Sequence, residues 1–500
     1  MSRQNIYRAA ACVTAFSVAE RFFGFVYRIV LSRTLGAEGM GLYQTALSVF
    51  AVLATAAASG LPLTVSRLIT KYRAKNNPHA QQSVVAAALV CALAFSLPVF
   101  ALLYFGHGWF DFLFSDPRCM SVLLVLLPAL TFNAVYSVIR GVLWGNKQFV
   151  PYCVIDLIEE LCMIGAGVLL VMNMTDVFDG ARRVAAAVAA SYLVSFTLAA
   201  VWFFAKGGRL RSPRRQLRPL LASALPLTGM RTSNALVNSA VSLLLPARLI
   251  AAGLTPQEAM GRIGVAMGMS MPVLAIPSTL IGSLALVMVP ELAEHYFRGR
   301  HDRLKQDIEK AIRVTVLIVC LLTPPLFVLG EDAGVLLFSD PESGRIIRNS
   351  CFLLLPAGLC MISTGVLNSL GCEKQTCLYY LLGAAVTLAC VWALPRFCGV
   401  YALTAGSAAG SAVTMALNLR LIGKKSKEKV CFAKHACLAA LTMLPAVLFG
   451  SLLHGLLAAL LPRAAAAVLC GAVLAAAQTL FLFALGLVRP RQLKLLVKRA

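Results

Sequence analysis

Long apolar runs, separated by short polar stretches, follow one another along the chain from Ala10 to Leu487. Crossing about 30 Å of hydrocarbon takes roughly 20 helical residues, and fourteen runs reach that length. Six begin near Ala10, Leu42, Val84, Met120, Cys153 and Arg183, and a basic linker from Lys206 to Pro219 closes the group. Six more begin near Leu220, Arg262, Ala311, Arg348, Cys377 and Val400, followed by a second basic linker from Gly423 to His435. Two final spans occupy about Ala436 to Leu461 and Ala464 to Leu487. The pattern predicts an all-α polytopic membrane protein of 14 transmembrane helices: a six-helix lobe with its linker over 1–219, a second over 220–435, and two added helices with a basic tail over 436–500.

The two groups of six repeat the same words in the same order. Met40-Gly41 returns as Met260-Gly261, Phe114-Ser115-Asp116-Pro117 as Phe338-Ser339-Asp340-Pro341, Leu126-Leu127-Pro128-Ala129 as Leu354-Leu355-Pro356-Ala357, and Lys147-Gln148 as Lys374-Gln375. The offsets stay between 220 and 228 residues. An even number of spans per repeat makes the halves parallel and pseudo-symmetric about an axis along the membrane normal, an arrangement in which transporters hold substrate between the halves.

Composition agrees with a membrane class, at 59% hydrophobic and 13% charged residues with a mean hydropathy of +0.80, and excludes a soluble fold. The net charge of +24 is unevenly placed. Of 45 lysines and arginines, 28 fall in the N-terminus, the even-numbered loops and the C-terminus, against 9 in the opposite loops. Both termini are therefore expected in the cytoplasm, with the basic linkers on anionic lipid and no nucleic-acid partner. Arg3 and Arg8 precede a first span that Glu20 interrupts without a cleavage site, so a retained span is expected. The fifteen cysteines show no paired spacing and the six histidines no ligand spacing, so neither metal nor cofactor is expected.

Charges inside the spans carry the candidate chemistry. The first span holds Glu20, Arg21 and Arg28. A central arginine costs about 2.5–3.5 kcal/mol on insertion scales and is kept where it faces a polar cavity or a partner. Arg21 and Arg28, seven residues apart, share a helix face about 10 Å apart, and guanidinium binds phosphate bidentately. The span opening the second group places Arg231, Asn234, Asn238 and Ser242 on one stripe. A cavity flanked by Arg21, Arg28 and Arg231 would suit a pyrophosphate, whereas pairing with buried carboxylates or snorkelling would make the same arginines structural. The fifth span carries Asp156, Glu159 and Glu160, candidates for gating or ion coupling along with Glu20, or alternatively ion-pair partners of Arg140. Prolines at 62, 98, 128, 226, 246, 272, 277 and 356 are candidate bending points.

The opening carries a family resemblance. Arg21-Phe22-Phe23-Gly24-Phe25-Val26-Tyr27-Arg28, Ser32-Arg33-Thr34-Leu35-Gly36-Ala37, Gly39-Met40-Gly41-Leu42-Tyr43-Gln44 and Ser59-Gly60-Leu61-Pro62-Leu63 together resemble the stage V sporulation protein B family. That family is a branch of the multidrug, oligosaccharidyl-lipid and polysaccharide exporter superfamily close to the MurJ lipid II flippases. The resemblance implies two six-helix lobes around a cationic cavity, two added helices forming a groove for a lipid tail, and alternating access. By its spacing to Gly24, Arg21 matches a cavity arginine of the MurJ proteins; Arg28 stands one position beyond the second, where this chain has Tyr27. Some relatives hold sodium through aspartates of the second half, but the spans from Leu220, Cys377 and Val400 carry no deep carboxylate, so no such site is expected.

The expectation is a bacterial plasma-membrane flippase, not an enzyme. It would move an undecaprenyl-pyrophosphate-linked saccharide, with lipid II for peptidoglycan or spore cortex as leading candidate, and would work as a monomer among anionic lipids. Other lipid-linked polysaccharide precursors are the nearer alternative, and an ion-coupled multidrug exporter the more distant one.

Overall fold

The computed structural model describes residues 3–298, 300–425 and 441–484, with side chains described from Phe16 to Leu482 except for several between 283 and 301. Most of the second basic linker, the start of the thirteenth expected span and the C-terminal basic tail lie outside the described residues. All regular structure within them is helical. Among the described residues eleven segments are long and apolar enough to cross a membrane. By internal contacts the chain divides into two compact units, Met1–Gly264 and Val265–Ala500.

The first unit opens with α1 (Arg3–Ala58), whose backbone leaves helical geometry at Gly36 (φ 67°, ψ −173°). That left-handed φ favours glycine, and it divides α1 into the two spans expected from Ala10 and Leu42. After the turn at Ser59-Gly60 come α2 (Leu61–Ala74), α3 (Pro78–Phe105), α4 (Arg118–Gly145), α5 (Phe149–Val171) and α6 (Val177–Ala205). Apolar on nearly every face, α4 is the central post, and α1, α2, α3 and α6 pack on it. Leu123, Leu126, Leu127, Leu130, Ala134 and Tyr136 are fully enclosed there.

Two further helices, α7 (Arg214–Ala251) and α8 (Pro256–Ile263), belong to this unit by contact, although they open the second sequence repeat. The reason is close backbone packing. A Cβ on Gly41 would lie 1.9 Å from the Met260 carbonyl oxygen, and one on Gly264 would lie 1.8 Å from that of Ala37. The two copies of the Met-Gly word thus meet each other, and only hydrogen at Gly41 permits it. On α7, Ala224 and Thr228 similarly leave no room for a side chain at Gly60.

In the second unit a π-helical stretch ending at Ser270 leads into α9 (Met271–Phe297), followed by α10 (His301–Val328), the short α11 (Gly330–Ala333), α12 (Pro341–Ser350), α13 (Leu354–Ser369), α14 (Glu373–Ala393), the short α15 (Pro395–Cys398) and α16 (Tyr401–Lys425). Its core joins Ile281, Ile308, Ile312, Val319, Ile362, Val366 and Leu367. Helices α14 and α16 cross where Gly383 and Gly410 face each other, so the backbones approach as small-residue membrane pairs do. The last described helices, α17 (Met443–Leu460) and α18 (Arg463–Ala484), pack on α10. Buried Asp332 of α11 ties both down, accepting from His454 Nε2 at 2.5 Å and from Arg463 Nε at 2.6 Å.

The repeated Phe-Ser-Asp-Pro word has the same local use in each unit. Asp116 accepts from the Arg118 backbone N–H at 3.0 Å at the start of α4, and Asp340 accepts from that of Ser343 at 2.8 Å at the start of α12. Each satisfies a helix N-terminal donor. Two prolines expected as bending points do not bend a helix: Pro62 and Pro272 sit in the first turns of α2 and α9, where the missing N–H costs nothing. Pro98, Pro128, Pro226 and Pro246 are interior.

Candidate functional site

Among the charged residues of the first unit, the carboxylates predicted from sequence gather in a packed polar cluster, whereas Arg21 and Arg28 stand outside it. The cluster is built on α4 and α5. Arg140 and Tyr136, one turn apart on α4, face Asp156 of α5: the Tyr136 hydroxyl and Arg140 Nη2 (3.1 Å) both donate to Asp156 Oδ1. The guanidinium also lies over the Tyr136 ring at 4.7 Å and the Tyr152 ring at 5.6 Å, an arrangement that stabilises a cation away from water. Pairing Asp156 with Arg140 was one of the two expectations for it, and this is the contact observed.

Helical spacing brings the remaining carboxylates alongside. Glu20 of α1 interacts electrostatically with Asp156, Glu160 and Arg140. Glu159 is adjacent to Ser195 of α6, yet its Oε2 is enclosed without a hydrogen-bond partner, as is Arg140 Nε. Glu160 sits over Gly24 of α1, where a Cβ would lie 2.9 Å from its Oε1. Gly24 therefore admits a carboxylate against the helix backbone.

The arginines are arranged differently. Arg21 is exposed and Arg28 half-buried, and neither makes a hydrogen bond or ion pair with another described residue. Arg28 interacts electrostatically with buried Tyr43, on the second half of α1, which also senses Glu160. Arg231 of α7 is exposed and donates through Nη1 to the Ser59 carbonyl at 2.8 Å, at the C-terminal end of α1. Asn234 and Asn238 continue the exposed stripe, whereas Ser242 is buried. Among the described residues no hydrogen bond links Arg21 or Arg28 to Arg231.

Tyrosines are the residues that the charge pattern did not single out. Tyr136 supports Arg140 and Asp156. Tyr27, beside Arg28, is buried with its hydroxyl unpartnered against Gly167 of α5, where a Cβ would fall 1.9 Å away. Tyr-x-x-x-Arg at 136–140 and Tyr-Arg at 27–28 were the available signals. Among the described residues no group of His, Cys, Asp or Glu could hold a metal ion.

A multi-pass α-helical protein whose spans carry carboxylates, tyrosines and unpaired arginines has the make-up of a membrane transporter. The chain belongs to the polysaccharide biosynthesis protein family, which matches residues 6–295, and is a multi-pass protein of the bacterial plasma membrane. It is 24% identical to the stage V sporulation protein B of Bacillus subtilis over 79% of this chain and 78% of that one. It is 21% identical to the lipid II flippase MurJ of the same organism over 77% and 76% of the two chains. A solved inward closed structure of the lipid II flippase MurJ superposes with a TM-score of 0.74 at 11% identity, covering 95% of this chain and 99% of that one. The resemblance seen in the opening 70 residues is thereby borne out.

Proposed function

We propose that this protein is a flippase that moves an undecaprenyl-pyrophosphate-linked saccharide, lipid II foremost, from the inner to the outer leaflet by alternating access, making and breaking no covalent bond. The observation that carries this reading is a pair of membrane-helix arginines, Arg21 and Arg28, without a carboxylate partner on the same unit that neutralises Arg140 with Asp156. An arginine kept unpaired in a span offers its fork to an anionic ligand. In this reading Arg21, Arg28 and Arg231 bind the pyrophosphate, Asn234 and Asn238 bind sugar hydroxyls, and Glu20, Asp156, Glu159 and Glu160 gate the site or couple it to an ion. Family membership and the relatives named above support the substrate class, and the arginine excess disfavours a cationic drug as cargo.

The same reading keeps fourteen spans, two six-helix lobes divided at 219/220 and at 435/436, and cytoplasmic termini. The Gly36 break and the lengths of α5 and α16, 23 and 25 residues, support that count. Reconstitution tests the substrate: vesicles containing the protein should expose labelled lipid II in the opposite leaflet faster than empty vesicles. A protein that ignores lipid II but moves a capsule or teichoic acid precursor would shift the assignment to that glycan.

A further inference from the structure

A cavity of about 250 Å³ in the first unit lies apart from the residues of the proposed transport site. It opens where α2, α4 and α6 end and α3 and α5 begin. Ile69, Val85, Ile139, Val142, Leu143 and Phe203 form its apolar wall, and its polar lining consists of Gln81, Gln82, Asn146, Gln148, Lys206 and Arg209. No carboxylate lines it.

Two features mark it as built to receive a ligand. None of the four amide side chains hydrogen-bonds another described residue, and the indole N–H of Trp202, also in the wall, is enclosed without an acceptor. The amides are half-buried and face the cavity, so together with the two cations they offer it a set of donors suited to acceptor oxygens. The two cations stand over it because α6 ends in a left-handed Gly207 (φ 75°) and a Gly208 with no room for a Cβ beside the Phe203 carbonyl, which turn Lys206–Arg209 back across the opening. Lys206 also covers the Trp202 ring at 5.1 Å.

Depth indicates where the ligand resides. Helices α3, α4 and α6 are 28, 28 and 29 residues long, about 42 Å each, which matches a bilayer measured through its headgroups. Their ends therefore lie at the level of lipid phosphates. We infer that this cavity is a binding site for a phosphate ester bearing hydroxyls, with the phosphate on Lys206 and Arg209 and the hydroxyls on the amide wall. The headgroup of phosphatidylglycerol and a free glycerol phosphate share that chemistry. The inference stands apart from the transport reading, since none of these residues belongs to the proposed pyrophosphate site.

Native mass spectrometry of the delipidated full-length protein, titrated with phosphatidylglycerol, phosphatidylcholine or glycerol 3-phosphate, tests it. Phosphatidylglycerol should bind the wild type about tenfold more tightly than it binds Lys206→Gln/Arg209→Gln. Lys71→Gln/Lys75→Gln, the same charge loss outside the cavity, should leave that affinity intact. Gln82→Leu, which retains both cations, should also weaken binding and decides the matter if the charge variant does not fold. Displacement of the lipid by glycerol 3-phosphate would support the site with the headgroup alone as ligand, and retention against it would support the site with the lipid as ligand. Equal losses in the two charge variants, or no preference over phosphatidylcholine, would overturn the inference.

Discussion

Arg140 shows how one side chain organises a polar interior. Its guanidinium is half enclosed by Tyr136 and Tyr152 and neutralised by Asp156, so deleting the carboxylate strands a cation and deleting the cation strands a carboxylate. Removing one member of a buried pair costs about 3 kcal/mol, while replacing both by apolar groups costs less. Asp156→Ala and Arg140→Ala should therefore each lower the thermal midpoint in detergent markedly, and Arg140→Met/Asp156→Leu should lower it less than either. A loss in the double variant equal to the sum of the single losses would show that the pair is not coupled. At this scale the sequence was readable where it carried charge: Glu20, Asp156, Glu159 and Glu160 stood out as carboxylates in apolar runs. The tyrosines did not, because a phenol ring reads as one more apolar residue until its hydroxyl is seen on Asp156 or against Gly167.

Among the helices, two glycines in α1 test different physics. Gly41 lies against the Met260 carbonyl, so Gly41→Val must force α1 and α8 apart, an overpacking loss of about 3 kcal/mol. Gly36 has open space where a Cβ would be built but a φ of 67° with ψ −173°, so Gly36→Ala should cost about 2 kcal/mol of backbone strain alone. Thermal unfolding of the two variants should rank them in that order, and a larger loss for Gly36→Ala would contradict the packing argument. Most elements were legible from hydrophobic run length alone. The exceptions follow from what such a pattern omits: it places Pro62 and Pro272 within spans because both are flanked by apolar residues, whereas a helix start is set by capping and by the turn before it. For Arg21 and Arg140 the sequence offered both a paired and an unpaired state, and could not choose because the choice depends on which helix comes alongside.

For the whole chain, the repeat in sequence and the packing in space divide the molecule at different places. Words such as Met40-Gly41 and Met260-Gly261 mark duplication, yet glycine contacts hold α7 and α8 to α1 within the first unit. Duplication is recorded in residue order; compactness depends on where backbones can touch. In the second unit, α17 and α18 are held to α11 through Asp332, which is 6% exposed while its partner Arg463 is 55% exposed. Asp332→Asn should loosen both helices at a cost of about 2 kcal/mol, seen as faster protease cleavage between them at 461–463. Unchanged cleavage would mean that their packing on α10 suffices. The most direct test of the central claim is leaflet translocation of lipid II by reconstituted wild type, Arg21→Ala and Arg231→Ala, with folding of each checked by its thermal midpoint. The account predicts transport by the wild type and loss of it in both folded variants; full transport by either variant would contradict a cationic site for the pyrophosphate.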